Sequence, residues 1–378
     1  CFSLDFFVEI NFKWKRLKPK LINWNQIFLS LDQSKTYGDN INFNGTEFSS
    51  VGLVNNETLT SVSLNSLGTV ATAAVNGGVA YAIQASNVVG GTTFNTSNYT
   101  INYINGALTV QPAALTITAL DQTKTYGESI NFTGSEFSTV GLVNDEILTS
   151  VNLNSLGTLA TATVNGGVAY AIQASDVVGG VTFDVSNYAI NYINGNLTIA
   201  PASLTITASD LIKTYGDSIN FSGTEFSSAG LVNDENISSV SLNSLGTLPT
   251  AAVNGGVAYA IEASNVVGGT TFNAANYTIS YVNGNLTVKP ATLTITASNL
   301  SKTYGSTLSF TGSEFSAVGL VNSETITRVT LSSTGAVATA AVNGGVAYAI
   351  QASNVVGGTT FNASNYTISY VNGALTVQ

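Results

Sequence analysis

The stretch PAALTITALDQTKTYG, residues 112–127, carries the reading of the whole chain. Leu115, Ile117 and Ala119 alternate with Thr116 and Thr118, so every second side chain is apolar, as in a strand with one face buried. Lys124-Thr125-Tyr126-Gly127 then supplies a turn. Working outward, KTYG recurs with its tyrosine at 37, 126, 215 and 304, a spacing of 89 each time. VNGGVAYAI starts at Val75, Val164, Val253 and Val342 with the same period, and Asn-Gly pairs begin at Asn105, Asn194, Asn283 and Asn372. Pro112, Pro201 and Pro290 stand between copies. The repeats are therefore expected at 23–111, 112–200, 201–289 and 290–378, after an atypical segment at 1–22.

A period of 89 exceeds the roughly 20–50 residues of a solenoid turn and suits a small independent domain. Within 112–200, further extended segments are expected at Ser129–Phe137, Thr149–Leu153, Ala160–Val164 and Val168–Ala174. Gly141–Leu148 reads as a loop or a single helical turn. Tyr188–Tyr192 and Leu197–Ile199 read as a closing hairpin turned at Asn194-Gly195. Short strands at this spacing, with almost no helical periodicity, give an all-β domain of six or seven strands. Only Ala200-Pro201-Ala202-Ser203 separates one copy's last strand from the next copy's first, so the joint should be stiff and the four beads should form a rod. The copies are so alike that duplication reads as recent, and a residue shared by all four is no proof of importance.

Composition removes several functions. The chain has 378 residues, no His and a single Cys at position 1, so no Ser-His-Asp or Cys-His catalytic arrangement and no internal disulfide can be built. Net charge is −10, against the basic footprint of a nucleic-acid binder. Residues 1–25 hold five basic and two acidic residues, which leaves 6 basic against 19 acidic, or −13, for the rest. No window reaches the roughly 18 apolar residues of a membrane span. The absence of Met reads as a segment of a longer or processed product.

The opening LTITA and KTYG, the middle GLVN-D/S-E, and the close NYTISYVNGNLTV-x-P resemble the MBG/YDG repeat of bacterial surface proteins, the large adhesins similar to filamentous haemagglutinin. That resemblance covers residues 23–378. It implies small antiparallel β domains, β-grasp-like or immunoglobulin-like, in an extracellular or cell-surface protein whose repeats act as non-enzymatic stalk or spacer modules, with no cofactor.

Each copy has one lysine before its KTYG tyrosine: Lys35, Lys124, Lys213 and Lys302. With Glu47, Glu136, Glu225 and Glu314 as carboxylate partners, these are candidates for a lysine–asparagine isopeptide cross-link. The plainer reading lays the lysine stem over the ring with its ammonium in water. A second set, Glu57, Glu146, Glu235 and Glu324, sits in the GLVN loop. A regular calcium site is not expected, because residues 290–378 offer only Glu314 and Glu324 as carboxylates; Asp145-Glu146 and Asp234-Glu235 are the local candidates. Paired carboxylates could serve glycoside hydrolysis, but no cleft signature accompanies them. The stripe Tyr188, Ile190, Tyr192 reads as the core side of a strand, with a sugar-binding face as the alternative. Near the start, Phe2, Leu4, Phe6, Val8, Ile10, Phe12 and Trp14 fill every even position, as in an amphipathic strand. Such a strand could add to a neighbouring subunit or complete the first copy, where Gln26–Ser30 fits the LTITA position poorly; alternatively it is a misread gene boundary. The function expected is a structural repeat of a surface adhesin. A self-assembling filament, with the chain itself as partner, is the alternative, and a carbohydrate-binding module the third.

Overall fold

Alternating apolar positions place one face of each strand inward, and in the computed structural model, which describes residues 24–378, this gives a seven-stranded, two-sheet β-sandwich met four times. Copy 1 is built from β1 (Trp24–Ser30), β2 (Gln33–Thr36), β3 (Phe48–Val51), β4 (Leu59–Asn65), β5 (Tyr81–Gly90), β6 (Tyr99–Ile104) and β7 (Gly106–Gln111). A three-stranded sheet in the order β3-β1-β6 faces a four-stranded sheet in the order β2-β7-β5-β4. Copy 2 repeats the plan with β8 (Ala113–Ala119), β9 (Gln122–Thr125), β10 (Phe137–Val140), β11 (Leu148–Asn154), β12 (Tyr170–Gly179), β13 (Tyr188–Ile193) and β14 (Gly195–Ala200). The same two sheets recur in copies 3 and 4, from β15 (Ala202–Ala208) to β28 (Gly373–Val377).

The all-β tandem architecture agrees with the sequence. Pairing, however, is mixed instead of antiparallel throughout: β1 runs parallel to β6 and β2 parallel to β7, while β1–β3 and β4–β5 are antiparallel. The helix that a β-grasp lays on its sheet is missing among the described residues, where only short 3₁₀ turns interrupt the strands.

Three local expectations are corrected. Tyr188–Ile193 and Gly195–Ala200 do not form a hairpin. β13 pairs with β8 and β14 with β12, so the chain crosses from one sheet to the other at Asn194. Gly195 permits the crossing because a Cβ there would lie 2.6 Å from the Ala119 carbonyl oxygen. Ser129–Glu136 joins no ladder: Ile130 N–H donates to the Thr158 carbonyl, the Glu136 carbonyl accepts from Leu120 N–H, and Thr133–Glu136 closes a local turn; Ala160–Val164 forms no strand either, with Ala160 and Thr161 in a turn. Gln26–Ser30 does take the LTITA position: it belongs to β1, and Phe28 is fully buried against Phe48 and Tyr103. Aromatic bulk replaces the β-branched residues of the other copies. The amphipathic strand expected at residues 2–14 lies outside the described residues.

The chain divides into two compact units. One holds copy 1 and the larger part of copy 2, with residues 131–156 and 170–197; the other holds residues 123–130, 157–169 and 198–378. In the first unit one apolar cluster runs from Tyr37, Val75 and Val110 of copy 1 into Leu115, Ile117, Val151 and Tyr188 of copy 2, and another gathers Phe28, Val62 and Val88 within copy 1. In the second unit a like cluster joins Tyr215 and Val288 to Leu293, Ile295, Ile350 and Leu375. Between β7 and β8, between β14 and β15, and again at Pro290, a single proline separates the strands of successive copies.

Candidate functional site

The joint between successive copies is where recurring polar residues converge. In the first unit, the KTYG tyrosine of copy 1, Tyr37, donates its hydroxyl to Glu146 Oε1 of copy 2 at 2.5 Å. Tyr188, opening β13, donates to Glu146 Oε2 at 2.8 Å and accepts from the Val143 backbone N–H at 3.2 Å. The carboxylate is buried and held by two phenols, which is the condition under which a buried charge is tolerated. The two rings meet edge to face, centroids 5.6 Å apart.

Two backbone groups of copy 1 are met from copy 2. The Val75 N–H donates to Asn187 Oδ1 at 2.9 Å, and Asn144 Nδ2 donates to the Ala71 carbonyl at 3.3 Å. Glu146 reaches its place because Asn144 and Asp145 both adopt positive φ, folding the GLVN loop tightly. Gly38 completes the fit: its φ is +92°, and a Cβ on it would stand 2.7 Å from Val143 Cβ.

In the second unit the same joint appears twice. Tyr126 and Tyr277 hold Glu235, and Tyr215 and Tyr366 hold Glu324, at 2.5–2.7 Å. Asn276 accepts from Val164 N–H and Asn365 from Val253 N–H, each at 3.0 Å. Burial pushes the hydroxyls of Tyr188, Tyr277 and Tyr366 up to about 12, and their bonds to a carboxylate act in the same direction.

The unjoined positions give internal controls. Tyr37, Tyr126 and Tyr215 are 4–5% exposed, whereas Tyr304 is 58% exposed. Asn187, Asn276 and Asn365 are buried and Asn98 is exposed. A Cβ at Gly305 would meet nothing within 4 Å. Burial therefore follows the presence of a neighbouring copy and not the residue type.

The lysines do not sit as expected. Lys35 is buried, and its Nζ donates to the carbonyls of Asp39 and Val70; Lys124 bonds those of Glu128 and Leu159, and Lys213 those of Asp217 and Leu248. Lys302 is placed alike on Ser306 and Val337. The reading that left the ammonium in water is thus corrected: the strand face holding the lysine is covered by the turn after β4 and its counterparts. Burial lowers the Lys35, Lys124 and Lys213 values from the ordinary lysine range.

Glu47, Glu136, Glu225 and Glu314 cap their own loops instead of facing these lysines. Glu47 accepts from the Asn44 and Gly45 N–H groups, and Glu136 from Thr133 and Gly134. The Ser222 hydroxyl and backbone hold Glu225 down at about 2. For Glu314, burial acts upward, but bonds from Thr311 and Gly312 outweigh it and also leave it at about 2. The local calcium candidates Glu146 and Glu235 have their carboxylates occupied by phenols. Among the described residues no group of three or more Asp, Glu, His or Cys could hold a metal ion. In the aromatic stripe, Tyr188 is buried and Tyr192 half-buried, its hydroxyl accepting from Val177 N–H; Tyr281 and Tyr370 are 37% exposed. Among the described residues no helix is long and apolar enough to cross a membrane.

Sequence reading offered Glu146 and Glu235 only as local calcium candidates and missed Asn187, Tyr188 and Gly38 as joint residues.

A tandem array of β-sandwich modules, joined by one proline and a buried phenol–carboxylate contact, is the class that fold and site define. The chain belongs to the MBG domain family, YGX type, whose model matches residues 30–109, 115–198, 204–287 and 293–376. A search of curated proteins finds no match. Among solved structures, the chain is similar to Drosophila N-cadherin EC1-4, at 9% identity over 93% of this chain and 99% of that one, with a TM-score of 0.21. The N-terminal four Ig domains of Dscam1 isoform 6.9 match at 11% identity over 94% and 100%, TM-score 0.18. The titin I9-I11 tandem matches at 10% identity over 71% and 97%, TM-score 0.19.

Proposed function

We propose that the chain supplies the structural stalk repeats of a bacterial cell-surface or secreted adhesin, holding another part of that protein at a set separation and performing no chemistry itself. One observation carries this reading: the same joint, with a one-proline link and a buried glutamate between two tyrosines, is built three times. Such a joint stiffens a chain in two ways. Proline restricts the backbone at the link, and any bend must break a desolvated charge-assisted hydrogen bond. Family membership supports the repeat role.

Spin labels at the exposed residues Val51 and Val140 of the first unit, in a chain carrying Cys1→Ser, test it by pulsed electron resonance. A narrow distance distribution is expected, broadening when Tyr37→Phe and Glu146→Gln are combined. A distribution as wide as that of a flexible linker in the parent chain would sink the stalk reading. For location, antibodies against the chain should label intact producing cells.

A further inference from the structure

Nine Asn-Gly pairs occur in the chain, and the fold treats them in two ways. Four belong to the NGG loops, where Asn76, Asn165, Asn254 and Asn343 and the glycines after them are all exposed. Each asparagine lies in the left-handed region, at φ of 53–59°. A Cβ on Gly77, Gly166, Gly255 or Gly344 would meet nothing within 4 Å, so the peptide between the two residues has room to turn. Among the described residues the Gly77 N–H donates to no acceptor, whereas Gly78 and Val79 donate to the carbonyls of Val75 and Asn76. The side-chain amide is held by one long bond, from Asn76 Nδ2 to the Val79 carbonyl at 3.3 Å, repeated at 3.2–3.4 Å in the other copies.

The remaining five pairs are closed. Gly106, Gly195, Gly284 and Gly373 are buried where the chain crosses between sheets, and a Cβ there would lie 2.6 Å from the carbonyl oxygen of Ser30, Ala119, Ala208 or Ala297. In the fifth pair the Gly45 N–H donates to Glu47 Oε2 at 2.9 Å, and Asn44 Oδ1 accepts from both the N–H and the hydroxyl of Thr46.

We propose that the NGG loops are sites of spontaneous deamidation, which converts Asn76, Asn165, Asn254 and Asn343 to aspartate or isoaspartate while the closed pairs keep their amides. The glycine nitrogen gives its proton to hydroxide and attacks Cγ of the preceding asparagine. A bond forms between that nitrogen and Cγ, the Cγ–Nδ2 bond breaks, and Nδ2 leaves as ammonia, taking a proton from water and so returning the hydroxide. Solvent water then opens the five-membered imide at either carbonyl. One product is aspartate; the other is isoaspartate, in which the backbone runs through the former side chain. Each conversion adds one negative charge, so four conversions take the chain from −10 to −14. The change falls beside the joints: Val75, Val164 and Val253, whose N–H groups bond Asn187, Asn276 and Asn365, directly precede three of the reacting asparagines. Charge thus accumulates next to each joint as the protein ages.

Incubating the folded full chain at mildly alkaline pH, with peptide mass spectrometry at intervals, tests the proposal. The four NGG peptides are expected to gain the mass difference between an acid and an amide, and isoelectric focusing should resolve up to four acidic steps. Asn44, Asn105, Asn194, Asn283 and Asn372 should convert at least about tenfold more slowly in the folded chain than in guanidinium chloride, because reaction there waits on local opening. Asn165→Gln would have to form a six-membered ring and should remove one acidic step; circular dichroism verifies that this variant folds. Two results would overturn the proposal: NGG amides that persist in the folded chain yet convert in guanidinium chloride, or all nine pairs converting at one rate in the folded chain.

Discussion

Two phenol hydroxyls, one from each neighbouring copy, make each buried glutamate tolerable. Tyr126→Phe would leave Glu235 Oε1 buried without its donor, and a loss of about 1.5–3 kcal/mol is expected from such a charged hydrogen bond. The exposed equivalent, Tyr304→Phe, should stay within about 0.5 kcal/mol of the parent. Urea denaturation of both variants reads the difference, and equal effects would deny the joint its role. The same residues set an alkaline limit. Tyr188, Tyr277 and Tyr366 hold their protons to about 12 in the folded chain but lose them near 10 when unfolded. Between these values the unfolded state binds fewer protons, so stability falls as pH rises from about 10 to about 12 and is fully present below that window. Thermal melts across this range should show the decline, shallower in Tyr366→Phe.

At the scale of the element, the KTYG turn is shaped by what lies across from it. Gly127→Ala places a methyl 2.7 Å from Val232 Cβ at a φ of +91°, so clash adds to the left-handed backbone cost, for about 2–5 kcal/mol in all. Gly305→Ala meets only the backbone cost, about 1–2 kcal/mol. Chemical denaturation of the two variants compares them; similar losses would mean that the neighbouring valine is irrelevant. Strand content was legible in the sequence wherever one face is buried, as at Leu115, Ile117 and Ala119, because alternation reports burial directly. Pairing partners were not. Tyr188–Ile193 and Gly195–Ala200 look like a hairpin by spacing, yet alternation is identical whether adjacent strands share a sheet or face each other across the core. Phe28 shows the converse, an unfamiliar residue filling a familiar strand position. The joint was illegible for another reason: Tyr37 and Glu146 stand 109 residues apart, in different copies, and near-identical repeats give no sign of which shared residues face a neighbour. The lysine contacts were hidden similarly, since Val70 lies 35 residues from Lys35 and approaches it only through the fold.

For the whole molecule, stability should follow nearest neighbours, each copy gaining from its own core and from every joint it completes. Amides around Tyr304, whose joint half is exposed, should therefore exchange hydrogen faster than those around Tyr126 and Tyr215, whose halves are buried. Native-state exchange read by mass spectrometry checks this, and uniform protection across the KTYG turns would argue that the joints contribute little.

The one-proline link has a consequence for inheritance. Since each copy carries the tyrosine half at one side and the glutamate half at the other, excising or inserting 89 residues in frame rejoins complementary halves with no slack to absorb and no new surface to invent. A lineage can thus change the number of copies by recombination alone, and every product presents joints already tested in its parent.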